Sequence, residues 1–245
     1  MTNDLQNTAQ EKSVLRWGGL AGIVGGILLL AVFALVGFGP VGMEPVEPAA
    51  EPMRFPEIRT ARIVENGLYL AVLVLWVIHF LALYRALRGT SLALALFGSA
   101  LGILGLVMLV AGALPHVATD PIADLYHAPG ATAGDQATLV FLWQATMGIL
   151  VMLLVTGLVI LPTGLIALGV AMLRTPAFGK AFGGVSVVLG VLGVAAGVVL
   201  LIDPGSPIAV VGILALIVFH IALGWKVYSL SKGPYVGSPE DRGKG

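Results

Sequence analysis

The sequence predicts an all-α fold, a polytopic transmembrane bundle of six helices, and three observations lead there. Of 245 residues, 58% are hydrophobic and 11% charged, with a mean hydropathy of +1.00; soluble domains carry roughly 45–50% and about 25%. Six long stretches hold no charged residue, each of a length that crosses a bilayer. The short alternating segments that build a membrane β-barrel do not occur. At 25.3 kDa a folded chain still exposes much surface. This apolar excess therefore excludes a soluble enzyme, a nucleic-acid-binding protein and a disordered chain. Thirteen Lys+Arg balance thirteen Asp+Glu, and there is no cysteine, which removes disulfides, thiolate metal sites and thiol redox chemistry.

The uncharged stretches are 17–43 (27 residues), 66–84 (19), 89–119 (31), 136–173 (38), 181–202 (22) and 204–225 (22). Crossing about 30 Å of hydrocarbon takes roughly 20 apolar residues at a rise of 1.5 Å each. Trimming loop residues gives spans at 17–38, 65–85, 91–114, 138–161, 181–202 and 207–228. The fourth stretch is too long for one crossing and too short for two. Pro162-Thr163-Gly164 marks a break, so that helix is expected to continue, bent, to residue 173, with a re-entrant segment as the alternative. A cleaved signal peptide is the rival reading of 17–38. Its apolar run would be only about 7–15 residues, so 17–38 is read as a retained helix.

Cation placement orients the bundle. With the N-terminus in the cytoplasm, the inner segments hold Lys12, Arg16, Arg85, Arg88, Arg174, Lys180, Lys226, Lys232, Arg242 and Lys244, and the outer loops only Arg54, Arg59 and Arg62. Ten cations against three predicts both termini cytoplasmic in the cell membrane. The predicted organisation is a cytoplasmic polar tail over 1–15, a six-helix domain over 16–231 and a disordered cytoplasmic tail over 232–245. Five prolines between Pro40 and Pro56 predict an extended strap in the first outer loop, 39–64.

Glycines recur at helical spacing: Gly18, Gly22 and Gly26 four apart; Gly98, Gly105 and Gly112 seven apart, with Gly102 beside them; Gly183, Gly190 and Gly197 seven apart. Small residues on one face let helix backbones approach in lipid, so these spans are expected to be glycine-packed. The seven-spaced sets superpose at an offset of 85 residues, as do Phe97 and Phe182. Spans 2–3 and 4–5 are thus a possible hairpin duplication, a feature that recurs in transporters.

Polar residues inside spans are the candidate sites. His79 and His220 each lie six residues before an inner cation, Arg85 and Lys226, so both sit about 9 Å from the inner boundary. Such a pair can ligate a haem from two sides; the other reading is two histidines bonded to backbone or stacked beside Trp76. In the outer loop 115–137, His116, Asp120, Asp124, His127 and Asp135 gather without a cation. Asp124 and His127 share a helical face and are the candidate metal ligands. Asp120-Pro121 reads as a helix start, and Asp135 as the cap of the fourth span. Gln144, His79 and Pro162 are the candidate transport path. Gln144 with Thr146, Thr156 and Thr163 would otherwise serve interhelical hydrogen bonds. Glu65 is read as the charge at the start of the second span, and Trp17, Trp143 and Trp225 as interfacial anchors.

The stretch 161–190, LPTGLIALGVAMLRTPAFGKAFGGVSVVLG, resembles a pattern common in uncharacterised bacterial six-helix membrane proteins, an inner turn followed by a glycine-rich span. It covers about an eighth of the chain and implies a prokaryotic inner-membrane protein, with no chemistry attached. The leading expectation is a non-enzymatic structural, accessory or partner-binding membrane module without a cofactor. Its partners would be the lipid bilayer and another membrane protein or a second copy, not nucleic acid. The alternatives are a small-molecule transporter or carrier, and a haem-binding electron carrier using His79 and His220.

Overall fold

The computed structural model of the chain describes residues 2–38, 47, 50–203, 206 and 208–233. They form six helices: α1 (Thr2–Phe38), α2 (Glu51–Leu87), α3 (Leu92–Tyr126), α4 (Ala133–Leu173), α5 (Gly179–Ile202) and α6 (Ile208–Leu230). No strand occurs among the described residues, and all six helices are long and apolar enough to cross a membrane. Each helix packs on its chain neighbour, and α1 packs on α6, which closes the set into a ring. Antiparallel packing of α1 on α6 brings Gly19 beside Tyr228 and Gly26 beside Ile221. The start of α1 and the end of α6 therefore lie at one side of the bundle, called here the terminal side.

Interhelical approach is closest at glycine. A Cβ added to Gly98 would lie 2.9 Å from the Gly164 carbonyl oxygen, and one on Gly105 would lie 2.6 Å from the Leu161 amide nitrogen. On the other flank of α4, a Cβ on Gly183 would lie 2.8 Å from the Gly169 oxygen, and one on Gly190 would lie 2.8 Å from the Pro162 oxygen. Both sets clasp α4 in the same antiparallel register. Gly98 and Gly105 meet Leu168 and Leu161; Gly183 and Gly190 meet Leu173 and Ile166, each shifted by five residues. Five residues turn an α-helix by about 140°, so the two ridges grip nearly opposite faces of α4.

Several helices overrun the hydrocarbon. At 37 residues, α2 rises about 55 Å, well beyond a core of about 30 Å. The overhang corrects the expected proline strap: from Glu51 onward the segment is helix, with Pro52 in the first turn and Pro56 inside. Proline is preorganised for a first turn, where its missing N–H removes nothing. Residues 39–46, 48 and 49 of the strap lie outside the described residues. The loop expected at 115–137 is likewise helical as far as Tyr126. Asp120-Pro121 is thus no helix start.

Above the membrane domain, Phe55, Ile122, Ala123 and Trp143 form a second small core, with Phe55 and Trp143 edge to face at 5.4 Å. Trp143 is 4% exposed, which corrects its reading as an interfacial anchor; Trp17 and Trp225 are 64% and 65% exposed. Arg59 of α2 joins the overhangs by pairing with Asp120 at 2.7 Å and Asp124 at 2.9 Å on α3. Thr132 is the N-cap of α4 and closes a capping box with Asp135 at the third helical position, so Asp135 supports the cap residue instead of being it. On the terminal side, the segment expected as a polar tail is helical from Thr2, and Glu11 pairs with Arg85 and Arg88 of α2.

Past Pro162, α4 continues to Leu173 as one helix, so the chain does not take the re-entrant alternative. The threonines of α4 do not reach other helices: Thr146, Thr156 and Thr163 bond the carbonyls four residues back in α4 at 2.7–2.8 Å. Two serines do make interhelical links. Ser99 donates to the Phe80 carbonyl at 3.2 Å and Ser186 to the Leu165 carbonyl at 2.9 Å.

Candidate functional site

The polar residues that line the cavity all belong to α2. Arg62, Glu65, Tyr69, Trp76 and His79 recur at spacings of three, four or seven residues, with Asn66 next to Glu65, which places them on one stripe. Glu65 is not at a helix start; it lies fourteen residues inside α2, about 21 Å along the axis from Glu51. Its carboxylate pairs with Arg62 at 2.9 Å, and the two side chains are 12% and 22% exposed.

Below that pair is a cavity of about 260 Å³. Glu65, Asn66 and Tyr69 stand at one end, and the rest of its wall is apolar, supplied by α1, α2, α3, α4 and α6. Val32, Leu73, Trp76, Leu154, Leu161 and Leu216 are representative. Trp76, 5% exposed, belongs to this wall, and its indole stacks on His220 at 4.2 Å and 12°.

Behind Trp76 the two histidines meet. His79 and His220 are both fully buried, with ring centroids 5.8 Å apart at 61°. Each Nδ1–H donates to a backbone carbonyl, that of Gly18 at 2.9 Å and that of Leu216 at 2.8 Å. In the uncharged ring each Nε2 then carries its lone pair inward, and neither Nε2 has a hydrogen-bond partner, nor has Trp76 Nε1. Glycine makes the room: a Cβ on Gly22 would lie 2.6 Å from His79 Nδ1, and one on Gly25 would lie 2.7 Å from Trp76 Nε1.

The matched depth of the two histidines is thus joined by matched rotation. The pairing is nevertheless cramped for a porphyrin. Trp76 covers one face of His220, and Phe80 stands 5.9 Å from it. A haem plane between the imidazoles would displace both, and neither imidazole lines the cavity. The contact that does form is the stack beside Trp76.

The candidate metal ligands are engaged separately. Asp124 receives Arg59, and His127 Nε2 donates to the Pro52 carbonyl at 3.1 Å. Among the described residues no group of three or more His, Cys, Asp or Glu comes together; the side chain of His116 lies outside them. The candidate transport residues stand on three different surfaces. Gln144 is exposed on α4, Pro162 is buried against Gly193 of α5, and His79 lies among α1, α2 and α6. None of the three lines the cavity.

Comparison of this chain with protein families, with curated proteins and with solved structures gave no match. Its function has to be read from the cavity and the stripe on α2.

Proposed function

We propose that this chain is a non-enzymatic binding module of the cell membrane that holds a small, mostly apolar molecule between its helices. The cavity carries the reading. An apolar cavity of about 150 Å³ accepts benzene, so about 260 Å³ suits one or two rings or a short branched chain. The lining asks for one polar end, beside Glu65, Asn66 and Tyr69, and an apolar body reaching Trp76. Such a wall, apolar with few polar groups gathered at one place, is the usual make-up of a small-molecule site. Binding is favoured over catalysis because the acid and base nearest the cavity, Glu65 and Arg62, neutralise each other, and the imidazoles stand behind Trp76. The cation asymmetry supports placing both termini in the cytoplasm, and the resemblance over 161–190 supports a bacterial inner membrane. We read the close glycine contacts as the device that packs the bundle.

Photolabelling in lipid nanodiscs tests this. The probe is a one-ring apolar reagent, a trifluoromethyl phenyl diazirine, and labelled peptides are mapped by mass spectrometry. The expected result is saturable label on the buried wall residues Leu73, Trp76, Leu161 or Leu216, lost in Val32→Phe, while label on the exposed Val74 and Val218 rises linearly with probe. Label confined to the exposed residues would overturn the reading.

A further inference from the structure

We infer that the cavity is reached sideways from the bilayer through the seam between α5 and α6, so that its ligand is a lipid-dissolved molecule and not a water-borne one. The inference rests on the binding role proposed above and adds the route and the source.

Among the described residues, α5 and α6 touch least of any neighbouring pair around the ring. Most glycine contacts at the other interfaces are tighter: a Cβ on Gly224 would lie 2.8 Å from the Gly19 oxygen of α1, one on Gly102 would lie 2.4 Å from the Phe80 ring of α2, and one on Gly164 or Gly169 would lie under 3 Å from α3 or α5 backbone, whereas Gly112 of α3, beside the cavity, meets α4 at 3.5 Å. At the α5–α6 seam the spacing is looser by about an ångström. A Cβ on Gly212 of α6 would find only the Cβ of Ala196 on α5, at 3.8 Å, which is ordinary contact.

This seam leads to the cavity. A small gap of about 10 Å³ lies inside it, bounded by Gly193, Ala196 and Gly197 of α5 and Gly212 of α6. Leu158, Ile213 and Leu216 form its inner wall, and the same three side chains also line the large cavity. The two spaces thus adjoin across three aliphatic side chains on α4 and α6. These side chains bear no charge, and a change of rotamer breaks no hydrogen bond or ion pair. Outside the seam the flanking surface is apolar: Val198 and Leu201 on α5 are 46% and 54% exposed, and Val211 and Leu214 on α6 are 68% and 38% exposed. An opening with such a rim faces hydrocarbon. At the far end of the cavity stand Glu65, joined to Arg62, with Asn66 and Tyr69, so a route there would pass charged and polar groups that an apolar molecule avoids.

The same distance supplies the test. A Cβ–Cβ separation of 3.8 Å matches a disulfide, for which roughly 3.5–4.5 Å is usual, and the chain has no cysteine of its own. Ala196→Cys/Gly212→Cys is therefore a clasp across the seam that oxidation closes and a reductant opens. With the diazirine probe in nanodiscs, the order of addition decides. Probe added before oxidation is expected to stay on the wall residues Leu73 and Trp76 after dilution into excess empty vesicles. Probe added after oxidation is expected to label them about tenfold less or lower still, with labelling restored by reductant, as for a gated site. Equal labelling in both orders, with the clasp formed, overturns the seam while leaving the cavity as a binding site. Absence of wall labelling in the reduced protein, and in the unsubstituted chain, overturns the binding role and the seam with it. Failure of the two cysteines to cross-link would place α5 and α6 too far apart for the seam described here, and so would also overturn it.

Discussion

Gly164→Ala is a severe test of how α3 and α4 are held together. A methyl at this position would lie 2.6 Å from both the Gly102 nitrogen and the Gly98 oxygen. Both atoms belong to helix backbone, so no side chain can swing aside. Ordinary contact begins at about 3.4 Å, and the helices would have to part by roughly 0.8 Å. A gap of about 0.5–1 Å forfeits a quarter to a half of the van der Waals attraction of each atom pair that faces it. In lipid that attraction is the main force holding helices together. The cost of overpacking is therefore about 1–3 kcal/mol. Gly148→Ala supplies the contrast on the same helix. No neighbour lies within 4 Å of its added methyl, and replacing a helical glycine by alanine gains about 0.5–1 kcal/mol. The two variants make the same chemical change with opposite expected signs. Unfolding by sodium dodecyl sulfate in mixed micelles, followed by helical circular dichroism, reads both against the unsubstituted chain. If Gly164→Ala were no less stable than Gly148→Ala, the close approach of α3 and α4 would not be a source of stability, and the argument from backbone contact would fail.

The remaining expectations concern the histidines, the overhanging helices and the α4 cap. His79→Ala empties a fully buried position and should cost about 2–5 kcal/mol, most of it packing, because a hydrogen bond within a membrane bundle averages only about 0.6 kcal/mol. Adding Gly22→Ala to that variant should recover part of the loss, since a Cβ at Gly22 occupies space next to the missing ring. A strictly additive double variant, measured in the same micelle titration, would contradict the contact. Arg59→Ala with His127→Ala releases α2 from α3 above the membrane, so amide exchange should speed up over 51–59 and 117–126 and stay unchanged in the spans; uniform acceleration would show that the overhangs are not a separate unit. Thr132→Ala removes the capping box of α4 and should cost about 0.5–2 kcal/mol, with faster exchange confined to the first turn of that helix.

The six crossings were legible because charge is expensive in hydrocarbon, and six intervals between charges in this chain are long enough to span while the rest are short. What lies beyond the hydrocarbon was not. Pro52, Pro56 and Asp120-Pro121 carry turn signals, yet all of them sit in helices, because Arg59 pairs with two aspartates and Phe55 packs on Trp143. Those contacts join residues more than sixty positions apart, and no local pattern reveals them. The depth of His79 and His220 followed from counting to the nearest cation, but their facing did not, since it depends on Gly22 and Gly25 letting α2 rotate its imidazole and indole inward. The site on α2 had a signal that spacing could have found: Arg62, Glu65, Asn66, Tyr69, Trp76 and His79 fall on one helical stripe. Reading Glu65 as the start of a helix hid it. Ser99 and Ser186 were equally readable as small polar residues on glycine faces, and they make the interhelical bonds that the threonines of α4 do not.

A void in a bundle that is otherwise packed to backbone contact needs an explanation, and its energetic scale gives one more prediction. Cavities in protein cores cost about 24 cal/mol per Å³. A sealed void of about 260 Å³ would carry about 6 kcal/mol on that scale; this space is only partly enclosed, so its penalty when unfilled is smaller, yet still a sizeable share of a domain's stability. Larger side chains at Val32 or Ile213 would remove part of that penalty at no cost in charge or hydrogen bonding. A chain that keeps small aliphatic residues there gives up stability, as binding sites commonly do. Val32→Phe is therefore expected to raise resistance to thermal unfolding in detergent while abolishing saturable labelling of Trp76. Saturating the unsubstituted protein with the probe should stabilise it in the same direction, because a ligand that binds only the folded state shifts unfolding by mass action. The two effects should not add in the filled variant. If Val32→Phe were instead destabilised, the space beside Leu73 and Trp76 would be filled by side-chain motion in the folded protein, and the binding role would lose its physical basis.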